Sequence, residues 1–145
     1  MPGLSGVAGE YFVAAELSKR GHIASITLKN TRGIDILASN IEATRQVVIQ
    51  VKTNRDEKLQ WLLYETAEDY YADNLFYVFV NLKGEGERPD YYIVPSKTVA
   101  EYAKTEHQEW LATPGRHGQQ RNETTMRVFR VQDNTYLENW NLLGL

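Results

Sequence analysis

An aspartate stands between two isoleucines in Gly33-Ile34-Asp35-Ile36-Leu37, an otherwise apolar run. Burying a carboxylate is costly unless a partner or a metal compensates it. A second run, Val48-Ile49-Gln50-Val51-Lys52, sets an amide and an ammonium two residues apart. Alternate residues of a strand share a face, so Gln50 and Lys52 point one way and Val51 the other. If the two runs pair, Asp35, Gln50 and Lys52 cluster. Such oxygen donors suit a hard cation, because Mg²⁺ commonly takes one or two carboxylates and fills its shell with waters and substrate phosphates. The chemistry this set can perform is phosphodiester hydrolysis. Asp35 would be the central ligand, Gln50 would offer its amide oxygen and Val51 its carbonyl. Lys52 would orient or deprotonate the attacking water and stabilise developing negative charge. Glu10 would add a second carboxylate, directly or through water, provided the helix that carries it covers the same face.

The elements that position these groups follow from periodicity. Residues 5–21 read as a helix that Ser5 caps and Gly21 ends. Val7, Glu10, Ala14, Leu17 and Gly21 recur at spacings of three and four and define its inner stripe. Glu10 thus faces inward, whereas Glu16 falls off the stripe and suits an exposed pair with Arg20. Runs 22–28, 33–39 and 46–53, rich in Ile, Val and Leu and joined by polar links, predict an antiparallel meander. Residues 56–73 read as a second helix, with Leu59, Leu62, Leu63 and Ala67 inward. Residues 75–82 read as a strand buried on both faces. Residues 90–94 form another, stopped by Pro95. Ser96 is expected to cap a helix over 97–111, with Val99, Tyr102 and Ala103 inward. A polar loop at 113–125, a short strand at 126–131 and a last helix or irregular tail at 136–143 complete the chain. This order predicts an α/β fold with a mixed central sheet flanked by helices.

The chain has 145 residues and 42% hydrophobic content, enough for one self-supporting domain over 1–145, with a core at about 5–95 and an elaboration at about 96–145. With no cysteine, disulfides, thiolate metal sites and cysteine nucleophiles are excluded. The N-terminus lacks the pattern of a signal peptide, and a cytoplasmic location is the expectation. The net charge of −3 hides an uneven distribution. Residues 1–55 carry seven Lys/Arg against four Asp/Glu, and 113–130 carry four Arg against one Glu. Between them, residues 56–73 carry six Asp/Glu and one Lys. Basic segments of this kind are the footprint that phosphate binding leaves, although scattered surface charge gives the same counts.

Secondary candidates surround the first set. Thr53 and Arg55 follow the Lys52 run directly and are placed to contact phosphate. Lys58 and Trp61 open the expected second helix near the same strand end and are further candidates for substrate contact. Arg116, Arg121, Arg127 and Arg130 form either a phosphate-contacting flap or a solvated loop. His22, His107 and His117 have no mutual ligand spacing, and Tyr70, Tyr71, Tyr91 and Tyr92 read as packing residues.

Asp35 followed by Gln50-Val51-Lys52 resembles the Asp…(Glu/Gln)-x-Lys signature of the PD-(D/E)XK nuclease superfamily. The stretch Gly9-Glu10-Tyr11-Phe12-Val13-Ala14-Ala15-Glu16-Leu17 resembles the helix that supplies an extra glutamate in archaeal Holliday-junction resolvases and Mrr-like restriction enzymes. The resemblance covers about residues 5–82. It implies a restriction-endonuclease-like αβββαβ core and a Mg²⁺- or Mn²⁺-dependent endonuclease acting on DNA, with RNA a second substrate class. Catalytic roles fall on Glu10, Asp35, Gln50 and Lys52, and metal ligation on Glu10, Asp35, Gln50 and Val51. A homodimer is implied, for which the apolar ending (Leu137, Trp140, Leu142, Leu143, Leu145) offers an interface, unless that ending caps its own core. Two departures stand out: Gln50 occupies a position often held by Glu, and no proline precedes Asp35. The alternative is a catalytically inactive module of this fold that binds nucleic acid or a protein.

Overall fold

The computed structural model of the protein describes residues 3–28, 33–55 and 57–145. The polar link at 29–32 and the expected helix start at Asp56 lie outside them. Leu4–Lys19 forms α1. Gly3 occupies its N-cap position with no side-chain hydrogen bond. Ser5 is therefore not the cap, and its hydroxyl instead accepts a hydrogen bond from Arg55 Nε. Gly21 does end the helix, with φ of 89°. Gly21 N–H donates to the Ser18 carbonyl and His22 N–H to that of Leu17, the paired bonds of a Schellman closure.

The buried row of α1 runs through Gly9, Val13, Glu16 and Leu17, and of these only Leu17 belongs to the expected stripe. The helix is apolar or small over much of its circumference, so spacing alone did not fix its rotation. Two features do. A Cβ on Gly9 would stand 1.9 Å from Thr53 Oγ1, so the helix approaches the sheet through that glycine. Glu16 is drawn inward by Arg20 and Arg88, each 3.0 Å from its carboxylate. It is a buried ion-pair member, not an exposed one.

The strands are β1 (Ile23–Ile26), β2 (Ile36–Ser39), β3 (Gln46–Asn54), β4 (Gln60–Tyr64), β5 (Leu75–Asn81), β6 (Asp90–Pro95) and β7 (Met126–Arg130). The main sheet has the order β1-β2-β3-β5-β6. The first three strands form the expected antiparallel meander. β5 lies parallel to β3, and β6 antiparallel to β5, so the sheet is mixed. Every residue of β5 is buried, which accounts for its unbroken apolar sequence.

The expected helix at 56–73 is not formed. β4 pairs with β7 in a separate two-stranded sheet, and a 3₁₀ turn, Glu65–Glu68, follows. Along β4, Trp61 and Leu63 are buried while Leu62 and Tyr64 are exposed, the alternation of a half-buried strand. Leu, Glu and Ala favour a helix here, but pairing with a strand more than sixty residues later decides the outcome. Ser96–Ala112 forms α2. Ser96 is buried at its first position and is not its cap. Its hydroxyl donates to the Ala72 carbonyl at 3.0 Å and accepts from Ala72 N–H at 3.1 Å.

Two apolar clusters sandwich the main sheet. One joins Val13 and Leu17 of α1 to Ile36, Val47, Ile49, Val51, Val78 and Val80. Trp140 and Leu143, in a terminal 3₁₀ turn Trp140–Leu143, complete it, with Leu142 and Leu145 packed alongside. Leu137 packs against the other cluster. The apolar ending therefore caps its own cores and is not a free interface. The second cluster joins Tyr77, Phe79 and Val94 to Trp61, Leu63, Phe129 and Val99, so α2 and the β4–β7 pair cover the opposite face.

Candidate active site

Asp35 lies at the open end of the β2–β3 pair, one residue before β2 begins. Its N–H donates to the Ile49 carbonyl at 2.9 Å, and its own carbonyl accepts from Thr27 N–H at 2.9 Å. Its side chain turns back over β3, where Oδ2 accepts the Val51 N–H at 2.7 Å. Beyond this point β2 supplies no backbone acceptor, and the carboxylate takes its place. A carboxylate receiving a backbone N–H is a strong, charge-assisted bond. The bond fixes Asp35 and explains how an acid is tolerated between two isoleucines.

Gln50 and Lys52 lie on the face opposite Ile49 and Val51, as strand alternation requires. Both line a cleft of about 490 Å³ together with Gly33, Leu63, Tyr64, Tyr70 and Tyr77. Burial drives the Lys52 pKa below its ordinary value, and the nearby Asp35 charge opposes the shift. Asp35 is thus close enough to Lys52 to act on its charge, while Gln50 and Lys52 share the cleft. The Gln50 amide oxygen is buried with no hydrogen-bond partner. Such atoms are rare in folded proteins, because each forfeits its hydration without replacement.

The other orphaned atoms lie at the same end of the sheet: Thr53 Oγ1, Asn54 Oδ1 and Asn81 Oδ1. Thr53 belongs to the α1 side, under Gly9. Glu10 follows Gly9 and is half-buried. α1 packs against the face opposite Gln50 and Lys52, so the condition that would bring Glu10 over those two residues is not met. Its neighbour Gly9 is the residue of α1 that stands against Thr53 of β3.

The remaining candidates are dispersed. Arg55 is exposed and held by Ser5. Lys58 is exposed, and its carbonyl accepts from Asn54 Nδ2 at 2.6 Å. Trp61 is 2% exposed, with Nε1 donating to the Val80 carbonyl at 3.0 Å and its ring against Phe79 and Tyr92. It is a core residue of β4, closed off from any substrate. Arg127 is buried against Glu68, Arg130 pairs with Glu106, and Arg121 stacks on Trp110. The loop that Arg116 and Arg121 belong to is thereby tied down through Arg121.

Sequence reasoning missed the cleft wall. Tyr64, Tyr70 and Asp69 fall in the stretch read as a helix, and the second tyrosine was read as packing. Two β-formers, Trp61 and Tyr64, in Gln60-Trp61-Leu62-Leu63-Tyr64 were the available signal.

No protein-family model matches the chain, and no curated protein sequence matches it. Solved structures do. A bacterial homing endonuclease superposes with a TM-score of 0.57 and 14% identity, over 99% of this chain and 92% of the other. The Holliday junction resolvase Hjc of Archaeoglobus fulgidus gives a TM-score of 0.48 and 14% identity, over 86% of this chain and 83% of the other. The fold is restriction-endonuclease-like, as in the homing endonuclease. Its αβββ opening and mixed sheet agree with the sequence reading. The crossover from β3 to β5 differs, since it carries β4 and a 3₁₀ turn in place of a helix. Among the described residues no helix is long and apolar enough to cross a membrane.

Proposed function

We propose that the chain hydrolyses phosphodiester bonds of DNA with a divalent cation, Mg²⁺ or Mn²⁺. The observation that carries this reading is the unsatisfied Gln50 amide oxygen, which shares a cleft with the desolvated Lys52 beside Asp35. The residues fit a hard cation: a carboxylate, an amide oxygen and the Val51 carbonyl are all oxygen donors. Among the described residues no three His, Asp or Glu side chains cluster, so a cation here would keep much of its shell as water and phosphate. Asp35 and Gln50 would hold it, with Glu10 as the second carboxylate. A bound cation would neutralise the phosphate and ease deprotonation of water.

The chain's own groups do the rest. The Val51 N–H bond fixes the Asp35 carboxylate without using its second oxygen. The lowered Lys52 pKa brings its amine nearer to the working range of a general base, while in its charged form it stabilises the pentavalent phosphate. Arg55 and Lys58, both exposed beyond the end of β3, are proposed to meet the flanking backbone, whereas the Thr53 hydroxyl is buried under Gly9.

A second reading, a nuclease fold without catalysis, is favoured by one observation. Gln50 replaces a carboxylate, and Asp35 already spends one oxygen on Val51. The test is cleavage of single-stranded, duplex and branched DNA, and of RNA, with and without Mg²⁺ or Mn²⁺. Asp35→Asn keeps an acceptor for the Val51 N–H but removes the charge. Metal-dependent cutting that drops about 100- to 1,000-fold in Asp35→Asn and Lys52→Met, both still folded by circular dichroism, is the expected result. Cutting unchanged by both, or absent from wild type on every substrate, sinks the enzymatic reading. RNA cut in preference to DNA would reassign the substrate.

A further inference from the structure

The cleft beside Gln50 and Lys52 is larger and differently built than a phosphate and a cation require. Its volume of about 490 Å³ lies within the range of small-molecule sites, roughly 300–1,000 Å³. Leu63 and Ala67 make an apolar floor. Tyr64, Tyr70 and Tyr77 also line it: Tyr64 is exposed and Tyr70 half-buried, while Tyr77 is buried and stacked on Phe79. Asp69 also lines it, within the most acidic stretch of the chain. Among the described lining residues the one cationic side chain is Lys52, which stands on the sheet with Gln50.

The cleft is therefore graded. Around the tyrosines it is flat-walled, apolar and hostile to a second anion; at Lys52 it favours one. A nucleotide has the matching grading, with a planar, largely neutral base at one end and a phosphate at the other. Aromatic side chains bind bases of any kind, since every base offers a π face. A base inside a paired helix cannot enter such a cleft without leaving its stack.

Gly33 keeps the wall in place. At φ of 65° its backbone is left-handed, and a Cβ there would lie 2.8–3.1 Å from the Tyr70 ring. Any side chain at this position would be strained and would displace that ring. Burial and the adjacent Tyr70 push the Tyr77 phenol up to about 12, so it remains a neutral hydrogen-bond donor at physiological pH.

We propose that this cleft seats an unpaired nucleobase with its phosphate toward Lys52, so that the preferred ligand is single-stranded or locally unpaired DNA and not a fully paired duplex. The inference rests on the nuclease reading only for the fate of that phosphate.

The experiment is done in EDTA, so that nothing is hydrolysed. Dye-labelled oligonucleotides carry 2-aminopurine in a single strand, opposite an abasic site in a duplex, or paired with thymine. Anisotropy gives affinity, and 2-aminopurine emission reports stacking. The expected result is tighter binding and quenched emission for both unpaired forms. Tyr70→Leu should cut that preference by about five- to 100-fold and leave duplex affinity unchanged. Tyr64→Leu, at an exposed position, should reduce it in the same direction and serves if Tyr70→Leu does not fold. Equal affinity for paired and unpaired forms, or a preference that survives both substitutions, overturns the proposal. Metal-dependent cleavage of paired duplex without such a preference would leave the nuclease reading standing and remove this one. Tyrosine-dependent capture of unpaired bases by a protein that cuts nothing would do the reverse.

Discussion

The two faces of the central sheet are made by the same strands and finished differently. On the α1 side, Val47, Ile49 and Val51 of β3 meet Val13 and Leu17 directly, and the C-terminal turn seals the layer with Trp140 and Leu143. On the other side, α2 and the β4–β7 pair cover β5 and β6, and beside β3 they leave a cleft that Gln50 and Lys52 line. A closed face gains from every apolar contact. An open one retains polar groups that cost free energy, among them a half-buried lysine and an unpaired amide oxygen.

Substitutions can sharpen or break that contrast. Leu17→Ala empties a fully buried position on the closed face. It should destabilise by about 2–5 kcal/mol in urea unfolding. A loss below about 1 kcal/mol would show that α1 is not integral to the core. Gly9→Ala puts a methyl group onto Thr53 Oγ1 and should cost about 1–3 kcal/mol, although alanine is the better helix former by about 1 kcal/mol. Thr53→Ala introduced alongside should recover much of that loss. If Gly9→Ala stabilises instead, the helix does not approach the sheet as closely as described.

Glu138 tests the closed face through pH. Burial alone would raise its pKa, but hydrogen bonds from Arg88 and Trp140 and the charges of Arg88 and Arg20 outweigh burial and hold it below its ordinary value. A depressed carboxylate contributes stability that is present above its unfolded pKa, about 4.3, and is lost as pH falls through the folded value. The unfolding midpoint should therefore fall with acidification below about pH 5, and Glu138→Gln should flatten that dependence. Parallel pH profiles for the two proteins would deny the network a role. The smallest effect belongs to Leu62→Ala on β4, where the side chain is half-exposed. A change within about 0.5 kcal/mol is expected, against several for its buried neighbour Leu63. Equal costs at the two positions would argue for a helix there after all.

Legibility differed along the chain for physical reasons. The β1–β2–β3 meander was readable because its pairings are local and its apolar runs are bounded by polar links. β5 was readable because burial on both faces leaves an uninterrupted apolar run. β4 was misread because its partner β7 lies far away in sequence, and its own residues suit either structure. Ser5 and Ser96 look like helix caps, yet each hydroxyl is engaged by a distant residue, which no local pattern reveals.

By itself the sequence determined that Gln50 and Lys52 share a face, because strand alternation is a property of the backbone. It also determined the mixed sheet, through the order of short meander, crossover and fully buried strand. The tertiary structure alone decided which face α1 covers, because a helix with small residues on several sides has no unique inward direction. It placed Trp61 in the core, and it turned Glu16 inward to Arg88. The cleft, too, exists only through β4, β7 and the turn after β4, whose long-range pairing is settled by packing.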